Sequence, residues 1–334
     1  MLEWADDLKI AGTQLYLDGR CTRGLCFVSH AHSDHICTHD TVIATPATAR
    51  LGAHRIGMTC AKPLEYGVDR DLDDGTRVRL LPAGHVLGSA MIHVTRPQGT
   101  LLYTGDFKLR PSRTVETAQV DPADYLVMES TYGLPMFRFP PAEHVAEQLV
   151  ELVQRALRDG RQPIVMGYSL GKSQEIARIL ADAGIPITMH GAVHAISEIY
   201  EELGVKLGPF RRYGYADFHG ETQLDLNERG ALIAPPYTAR SPFVTRFNNP
   251  CRIIMTGWAL TRGAIYRYGV DHALPLSDHA DFGELLELIE RVRPRKVFTH
   301  HGFKGFVDEL RKRNIDAELA RPDEQLMLFE PAPH

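Results

Sequence analysis

Hydrophobic and polar positions follow two different patterns along the chain. Up to about residue 135, short apolar runs alternate with turn signals, and one helix is predicted at residues 45–56. From Pro141 onward, apolar positions recur at helical spacing in segments that alternate with short apolar runs. This alternation is typical of a parallel α/β sheet.

The elements predicted in the second region can be given with their bounds. Helices are predicted at residues 143–158, 172–183 and 192–203, and strands at residues 163–168, 185–190, 231–234 and 252–256. A helix at residues 284–291 and a strand ending at His301 then return to the first pattern. We therefore expect an α/β unit inserted within another fold.

The segment FVSHAHSDHI contains three histidines and an aspartate directly after an apolar run that predicts a buried strand. Alternate side chains at a strand end lie on one side, so His30 and His32 can converge on one metal. Asp34 and His35, where the chain turns, can reach a second metal. Imidazole and carboxylate together are typical ligands of a catalytic zinc or manganese site.

Other strand ends supply further candidate ligands. The run LLPAGH ends on His85, TLLYTGD ends on Asp106, and KVFTHHG ends on the pair His300-His301. Each of these residues alone is more often structural than metal-binding, but together they extend the ligand set of the first motif.

The spacing HxHxDH resembles the signature of the metallo-β-lactamase superfamily. Its order of ligands, with a lone histidine, a bridging aspartate and a last histidine before glycine, matches His85, Asp106 and His301. The resemblance implies that His30, His32, His85 and Asp106 hold one ion, and that Asp34, His35, Asp106 and His301 hold the other. Two divalent ions per chain are expected, zinc first and manganese as the alternative. Asp18 is expected either to orient ligands or to be a plain turn residue.

Three further stretches are similar to the β-CASP nucleases of this superfamily. ESTYG around Glu129 is similar to motif A, SDHAD around His279 to motif B, and His301-Gly302 to motif C. The overall match is to bacterial ligase-associated DNA exonucleases, which are SNM1-like. The implied fold is α/β, a metallo-β-lactamase αββα sandwich at residues 1–140 and 275–334 with an inserted α/β β-CASP domain at residues 141–274.

The stretch YSLGK is similar to the phosphate-contacting loop of SNM1-type nucleases. A Walker A loop is excluded, because only three residues separate Gly167 from Gly171 and four are required. Ser169, Gly171 and Lys172 are therefore expected to bind a nucleic-acid phosphate at the start of a helix. The alternative is an ordinary helix start with no ligand.

The resemblance implies a DNA exonuclease that acts from the 5′ end in repair, with Asp34, Glu129 and His279 as catalytic residues. His279 would be the general acid, and Glu129 would orient it. Motif C of the DNA enzymes usually has valine, whereas RNA-processing relatives have histidine. Because this chain has His301 at that position, an RNA nuclease is the alternative. A metal-free scaffold is a third, which the intact ligand set disfavours. An ATP-dependent DNA ligase and a helicase are expected as partners.

Composition adds only broad limits. The chain has 334 residues, of which 44% are hydrophobic and 24% charged, as in ordinary globular proteins. We expect no membrane association, because no apolar run approaches the roughly 18 residues of a membrane span. The five cysteines form no CxxC pair and predict reduced thiols in the cytoplasm. The net charge of −5 does not decide whether the substrate is a nucleic acid.

Overall fold

The structure, a computed structural model, describes residues 1–219, 224–247 and 249–320. Contacts divide these residues into two compact units. The first unit contains residues 1–138 and 279–320, and the second contains the described part of residues 139–278. The sequence places the corresponding boundaries after residues 140 and 274.

The strands lie throughout both units. In chain order they are β1 (Leu2–Ala5), β2 (Asp7–Ile10), β3 (Leu15–Leu17), β4 (Leu25–Phe27), β5 (Thr41–Ala44), β6 (Ala61–Pro63), β7 (Asp69–Asp71), β8 (Arg77–Pro82), β9 (Ala90–Arg96), β10 (Gly99–Tyr103), β11 (Tyr125–Ser130), β12 (Pro163–Met166), β13 (Ile187–Met189), β14 (Phe210–Arg212), β15 (Ala231–Ala234), β16 (Cys251–Met255), β17 (His272–Leu274), β18 (Lys296–Gly302) and β19 (Ala317–Leu319).

The helices are concentrated in the second unit. In chain order they are α1 (Pro46–Ile56), α2 (Ala142–Arg158), α3 (Lys172–Asp182), α4 (Gly191–Glu202), α5 (Tyr215–His219), α6 (Leu226–Arg229), α7 (Pro242–Thr245), α8 (Ala264–Tyr268), α9 (Phe282–Val292) and α10 (Lys304–Arg311), with 3-10 helices at Pro236–Arg240 and Gly257–Leu260. None of these helices is long and apolar enough to cross a membrane.

Two sheets pack face to face in the first unit. One has the strand order β1-β2-β3-β4-β5-β6, and the other has the order β19-β18-β11-β10-β9-β8-β7. Buried side chains of both sheets, such as Phe27 and Ile92, form one apolar cluster between them. Leu285 of α9 and Phe306 of α10 belong to a second cluster that also includes Leu102 and Leu126 of the second sheet. The helix and sheet layers predicted for the fold class are therefore present.

The start of α9 is fixed by its cap. The Asp281 carboxylate accepts hydrogen bonds from the backbone N–H groups of Gly283 and Glu284, and Glu284 accepts one from the N–H of Asp281. Such a cap contributes about 1 kcal/mol to the stability of a helix. Because Asp281 lies two residues after His279, the cap also restrains the backbone near that histidine.

The second unit contains a parallel sheet with the strand order β14-β13-β15-β12-β16-β17. Neighbouring residues of its central strands point to opposite faces, as the period of a strand requires. Ile164 and Leu232 belong to one apolar cluster, whereas Val165 and Ile233 belong to another. The alternation of helices and strands predicted from the sequence is confirmed, and α2, α3 and α4 end within one residue of their predicted bounds.

Candidate metal centre and active site

The histidines of the FVSHAHSDHI segment lie just beyond the end of β4, which pairs in parallel with β3 and β5. His30 is fully buried, and His32 is partly buried. The Nε2 atom of His30 lies 3.1 Å from Nδ1 of His32, and Nε2 of His85 lies 3.0 Å from the same atom. Three imidazole rings from two separate segments of the chain therefore converge.

Asp106 joins this group from the end of β10. It follows Gly105, whose φ is +53° and where a Cβ atom would lie 2.5 Å from the Cβ of Ser29, so a side chain would not fit. The Oδ2 atom of Asp106 lies 3.6 Å from Nε2 of His30 and 3.7 Å from Nε2 of His85. Potential ligand atoms of His30, His32, His85 and Asp106 all lie within 4.8 Å of one another.

Asp106 also belongs to a second group, with His35 and His301. The Nε2 atom of His35 lies 3.4 Å from Oδ2 of Asp106. The single carboxylate is thus shared by two sets of histidines. The sequence pair His300-His301 is resolved by the geometry, because His301 joins the group whereas the buried His300 ring stacks on Tyr103, with 5.4 Å between the ring centroids.

Asp34 does not join the second group in the structure. Its side chain is 51% exposed, and its Oδ2 lies 3.5 Å from Nε2 of His35. The backbone explains this position: the N–H groups of His35 and Ile36 both donate to the carbonyl of His32, and this turn directs His35 inward and leaves Asp34 outside. Six of the seven predicted ligands are therefore brought together, and Asp34 lies at the margin.

Burial and neighbouring charges set the protonation states of His30 and His301. Burial, followed by the charges of His35 and His85, holds the pKa of His30 well below its usual range. Burial and His35 lower the pKa of His301 to about 4. At neutral pH both rings are therefore neutral, the form in which imidazole binds a metal.

His35 and Asp106 are charged in the absence of metal. Burial alone would lower the pKa of His35, but Asp106 and Asp34 raise it well above its usual range. Burial alone would raise the pKa of Asp106, but His35 and His279 hold it well below its usual range. His35 must therefore lose a proton when a metal binds.

Asp18 contacts His35 on the ring nitrogen opposite the one that faces Asp106. Its Oδ2 lies 2.7 Å from Nδ1 of His35 and accepts hydrogen bonds from the hydroxyls of Ser29 at 2.6 Å and Tyr103 at 2.8 Å. A carboxylate bound to Nδ1 leaves Nε2 of His35 directed at Asp106. Of the two roles expected for Asp18, these contacts favour the orienting one.

A third group lies beside the shared carboxylate. The Nδ1 atom of His279 lies 2.9 and 3.0 Å from the two carboxylate oxygens of Glu129 and 4.0 Å from Oδ2 of Asp106. Glu129 is fully buried and accepts hydrogen bonds from the N–H of Phe107 at 2.9 Å and the hydroxyl of Thr131 at 2.5 Å. The His279 side chain is 25% exposed, so its ring is both anchored and accessible.

The donor set fits divalent metals. Among the described residues, the buried Nε2 of His35 and Oδ1 of Asp106 have no hydrogen-bond partner. Leaving two such atoms unsatisfied in a protein interior is costly, and coordination to a cation removes the cost. Neutral imidazoles together with carboxylates are the ligands used by zinc and related metals in hydrolases.

The comparisons with known proteins agree with this geometry. Residues 267–318 match a family described as the zinc-dependent metallo-hydrolase RNA specificity domain. The chain is 38% identical over 319 residues to a probable DNA ligase of Opitutus terrae. It is 28% identical over 287 residues to the 5′ exonuclease Apollo of Gallus gallus, and 25% identical over 341 residues to an RNase J-like protein of Methanocaldococcus jannaschii.

Over nearly its whole length the chain is similar to β-CASP nucleases of the metallo-β-lactamase fold. The matches cover 94%, 82% and 82% of this chain, in the order given above. They cover only 30% of the ligase and 57% of the exonuclease, but 80% of the RNase J-like protein.

The β-CASP motifs correspond to the observed contacts. Glu129 of motif A and His279 of motif B are hydrogen-bonded to each other, and His301 of motif C lies in the group with His35 and Asp106. Residues that are far apart in the sequence thus form one continuous site in the first unit.

The loop YSLGK of the second unit makes internal contacts at the start of α3. Lys172 is buried, and its Nζ forms an ion pair with Oδ2 of Asp278 at 2.7 Å. The N–H of Gly171 donates to the side chain of Gln174 at 2.8 Å, and Ser169 accepts, through its carbonyl, a hydrogen bond from the same side chain. In the structure these contacts close the start of α3 internally, and phosphate binding by Ser169, Gly171 and Lys172 stays a prediction.

Arg20 was not identified from the sequence. It is exposed, and its Nη2 lies 2.9 Å from Nε2 of His301. The N–H of Arg20 donates to the Asp7 carboxylate, which also pairs with Arg23. Arg20 itself has no carboxylate within ion-pair distance among the residues that the structure describes. The only sequence signal was its position two residues after Asp18, which does not reveal where the side chain lies.

Proposed function

We propose that the chain is a metal-dependent DNA exonuclease that degrades DNA from the 5′ end and acts in DNA repair. The observation that carries the proposal is the position of Asp106, whose carboxylate is shared by two histidine groups and lies 4.0 Å from His279. Two-metal hydrolysis of phosphodiesters uses such a shared ligand, because the two ions lie only about 3.5–4 Å apart.

The proposed ligands follow the two groups. One ion would be held by His30, His32, His85 and Asp106, and the other by Asp34, His35, Asp106 and His301. We include Asp34 in the second set because its Oδ2 already lies 3.5 Å from Nε2 of His35. We propose zinc as the metal, with manganese as the alternative.

When bound, two such ions lower the pKa of a water molecule and neutralise charge on the scissile phosphate. The residues of the chain supply the other functions. The water loses a proton to solvent, and its oxygen forms the new bond to phosphorus while the bond from phosphorus to the 3′ oxygen breaks. His279 donates a proton to that oxygen, so the products carry a 5′-phosphate and a 3′-hydroxyl.

The hydrogen bonds of His279 support its role as the acid. Its Nδ1 lies 2.9 and 3.0 Å from the two carboxylate oxygens of Glu129, and we assign the transferred proton to Nε2. A buried carboxylate beside the ring stabilises the protonated imidazolium. Because Glu129 is itself held by Phe107 and Thr131, the ring has a defined orientation before the substrate binds.

An RNA nuclease is the second candidate. His301 at motif C favours it, and so does the match of residues 267–318 to an RNA specificity domain. The 38% identity to a probable DNA ligase across 94% of the chain supports DNA instead. We therefore keep DNA as the proposed substrate.

The wider setting is also proposed. The second unit would be the inserted β-CASP domain, predicted at residues 141–274. A ligase partner is supported by the similar region within the probable DNA ligase, whereas a helicase partner rests on family resemblance alone. The cytoplasmic location rests on the cysteine content.

Digestion of end-labelled nucleic acids tests this function. DNA with a 5′-phosphate should be degraded to mononucleotides from that end in zinc or manganese, and matched RNA should be cut more slowly. An Asp106→Ala preparation purified in parallel detects contaminating nuclease. Rapid RNA digestion with intact DNA would replace our proposal with the second candidate, and no cleavage of either substrate would contradict both.

Arg20 is proposed to contact a substrate phosphate. In the structure its guanidinium donates to Nε2 of His301, the nitrogen that would coordinate a metal. Once that acceptor is lost, an anion beside the site is the natural replacement. Arg20→Ala should weaken DNA binding and lower the salt dependence of binding by about one phosphate contact.

The measurement for Arg20 is fluorescence anisotropy on chelated protein at several salt concentrations, so that no cleavage occurs. Arg77→Ala is a matched control, because Arg77 is an exposed arginine of the same unit that pairs with Asp71 instead. Metal content after reloading should be unchanged in both variants. A salt dependence identical in wild type and Arg20→Ala would rule out the phosphate contact.

A further inference from the structure

The parallel sheet of the second unit has a point at which the chain leaves two neighbouring strands in opposite directions. From β12 the chain passes through α3 to β13, which lies beyond β15. From β15 it continues to β16, which lies on the other side of β12. In open α/β sheets, ligands bind outside the carboxyl ends of the strands at such a point.

The two loops at this point each present an exposed tyrosine. Strands β12 and β15 are hydrogen-bonded to each other up to their carboxyl ends, where the N–H of Gly167 donates to the carbonyl of Ala234 at 3.1 Å. Tyr168 follows at once and is 41% exposed, and Tyr237 follows β15 and is 50% exposed. Two aromatic side chains are thus displayed from adjacent strand ends.

Both rings are held by neighbouring groups. Nζ of Lys172 lies 6.0 Å from the centre of the Tyr168 ring, and the ion pair with Asp278 fixes this ammonium. The His190 ring, which follows β13, is nearly perpendicular to the Tyr237 ring, at 88° with 6.4 Å between the centroids. Tyr237 also lies in the 3-10 helix Pro236–Arg240, which restricts its backbone. A ring restrained before binding loses less conformational entropy when a ligand stacks on it.

The chemistry of the loops favours a polyanionic ligand with aromatic groups. Neither residues 167–172 nor residues 235–241 contain an aspartate or glutamate, so no carboxylate of these loops would repel phosphate. In proteins that bind single-stranded nucleic acid, successive bases stack on exposed aromatic side chains, whatever the base sequence. The internal closure of the YSLGK loop leaves Tyr168, rather than Lys172, as its exposed feature.

We propose that Tyr168 and Tyr237 form a stacking site for the bases of single-stranded nucleic acid. The proposal rests on the proposed function, because it assumes a nucleic-acid substrate. It adds that the second unit binds the bases of the substrate, whereas Arg20 in the first unit is proposed to contact a phosphate.

The test compares two oligonucleotides of equal charge on chelated protein. One is oligo-dT, and the other has the same length but abasic sites in place of its bases. Wild type should bind oligo-dT more tightly by about five- to a hundred-fold, the range expected for one stacked base or more. Tyr237→Ala and Tyr168→Ala should each reduce affinity for oligo-dT about five-fold or more and leave the abasic oligonucleotide unaffected.

Phenylalanine variants and a tyrosine outside the two loops complete the test. Tyr237→Phe and Tyr168→Phe should retain binding, because the ring remains. Tyr215→Ala is the control, since Tyr215 is a 61% exposed tyrosine of α5 that belongs to neither the β12 nor the β15 loop. Its affinity for oligo-dT should match that of wild type. Equal binding of both oligonucleotides by wild type, or equal losses on both in the alanine variants, would overturn the proposal. If metal-loaded wild type still cleaves DNA in that case, the proposed function stands and only the stacking site fails.

Discussion

Asp106→Ala is expected to reduce phosphodiester cleavage by about a thousand-fold or more. The substitution removes the carboxylate shared by both histidine groups, which lies 3.4 Å from Nε2 of the cationic His35. Metal ions contribute several kcal/mol of transition-state stabilisation, and each 1.36 kcal/mol corresponds to about ten-fold in rate. Initial rates on 5′-labelled DNA, in zinc and in manganese, measure the effect.

Asp69→Ala is the control for this substitution. Asp69 is an aspartate of the same unit that pairs with Arg79 at the surface, so its removal tests the loss of a carboxylate away from the site. Its cleavage rate should match that of wild type. If Asp106→Ala retained more than a tenth of the wild-type rate, the shared-ligand assignment would be wrong.

His279→Ala is expected to lose about 10²–10⁴-fold in cleavage rate while keeping its metals and its fold. The imidazole is held by Glu129 beside the shared carboxylate, and its removal takes away the proton needed by the departing 3′ oxygen. Far-ultraviolet circular dichroism and elemental analysis would establish that the variant is intact. Rates on DNA then report the loss.

The leaving group separates acid catalysis from a structural role. A nitrophenyl phosphodiester releases an oxygen that needs no protonation, so its hydrolysis, if wild type accepts it, should suffer much less in His279→Ala. Equal losses on DNA and on the activated ester would remove His279 from the acid role. A parallel loss of metal would instead make it a ligand, which its 4.0 Å distance from Asp106 Oδ2 would then explain.

The ends of strands made much of the site predictable. His30, His85, Asp106 and His301 all follow or end apolar runs, and the strands position them as the sequence pattern indicates. Asp34 lies at the margin of the second group, because the turn that begins at His32 directs His35 inward and leaves the Asp34 side chain largely exposed. A one-residue difference in a turn is not encoded in hydrophobic spacing.

Contacts between distant segments that no motif marks were the part that the sequence could not predict. Lys172 stands 106 residues before Asp278, and Arg20 stands 281 residues before His301. A lysine after a glycine-rich loop has the same sequence pattern whether it binds phosphate or a buried aspartate. The folded chain places the Asp278 carboxylate 2.7 Å from the ammonium, a contact that the sequence pattern does not reveal.

The metal content of the purified chain tests the central claim most directly. After chelation and reloading with zinc, elemental analysis of wild type should give two ions per chain, and Asp106→Ala should bind fewer. Asp69→Ala should again match wild type. Two ions retained by Asp106→Ala, or no metal in active wild type, would contradict the assignment of Asp106 as the ligand shared by two metals.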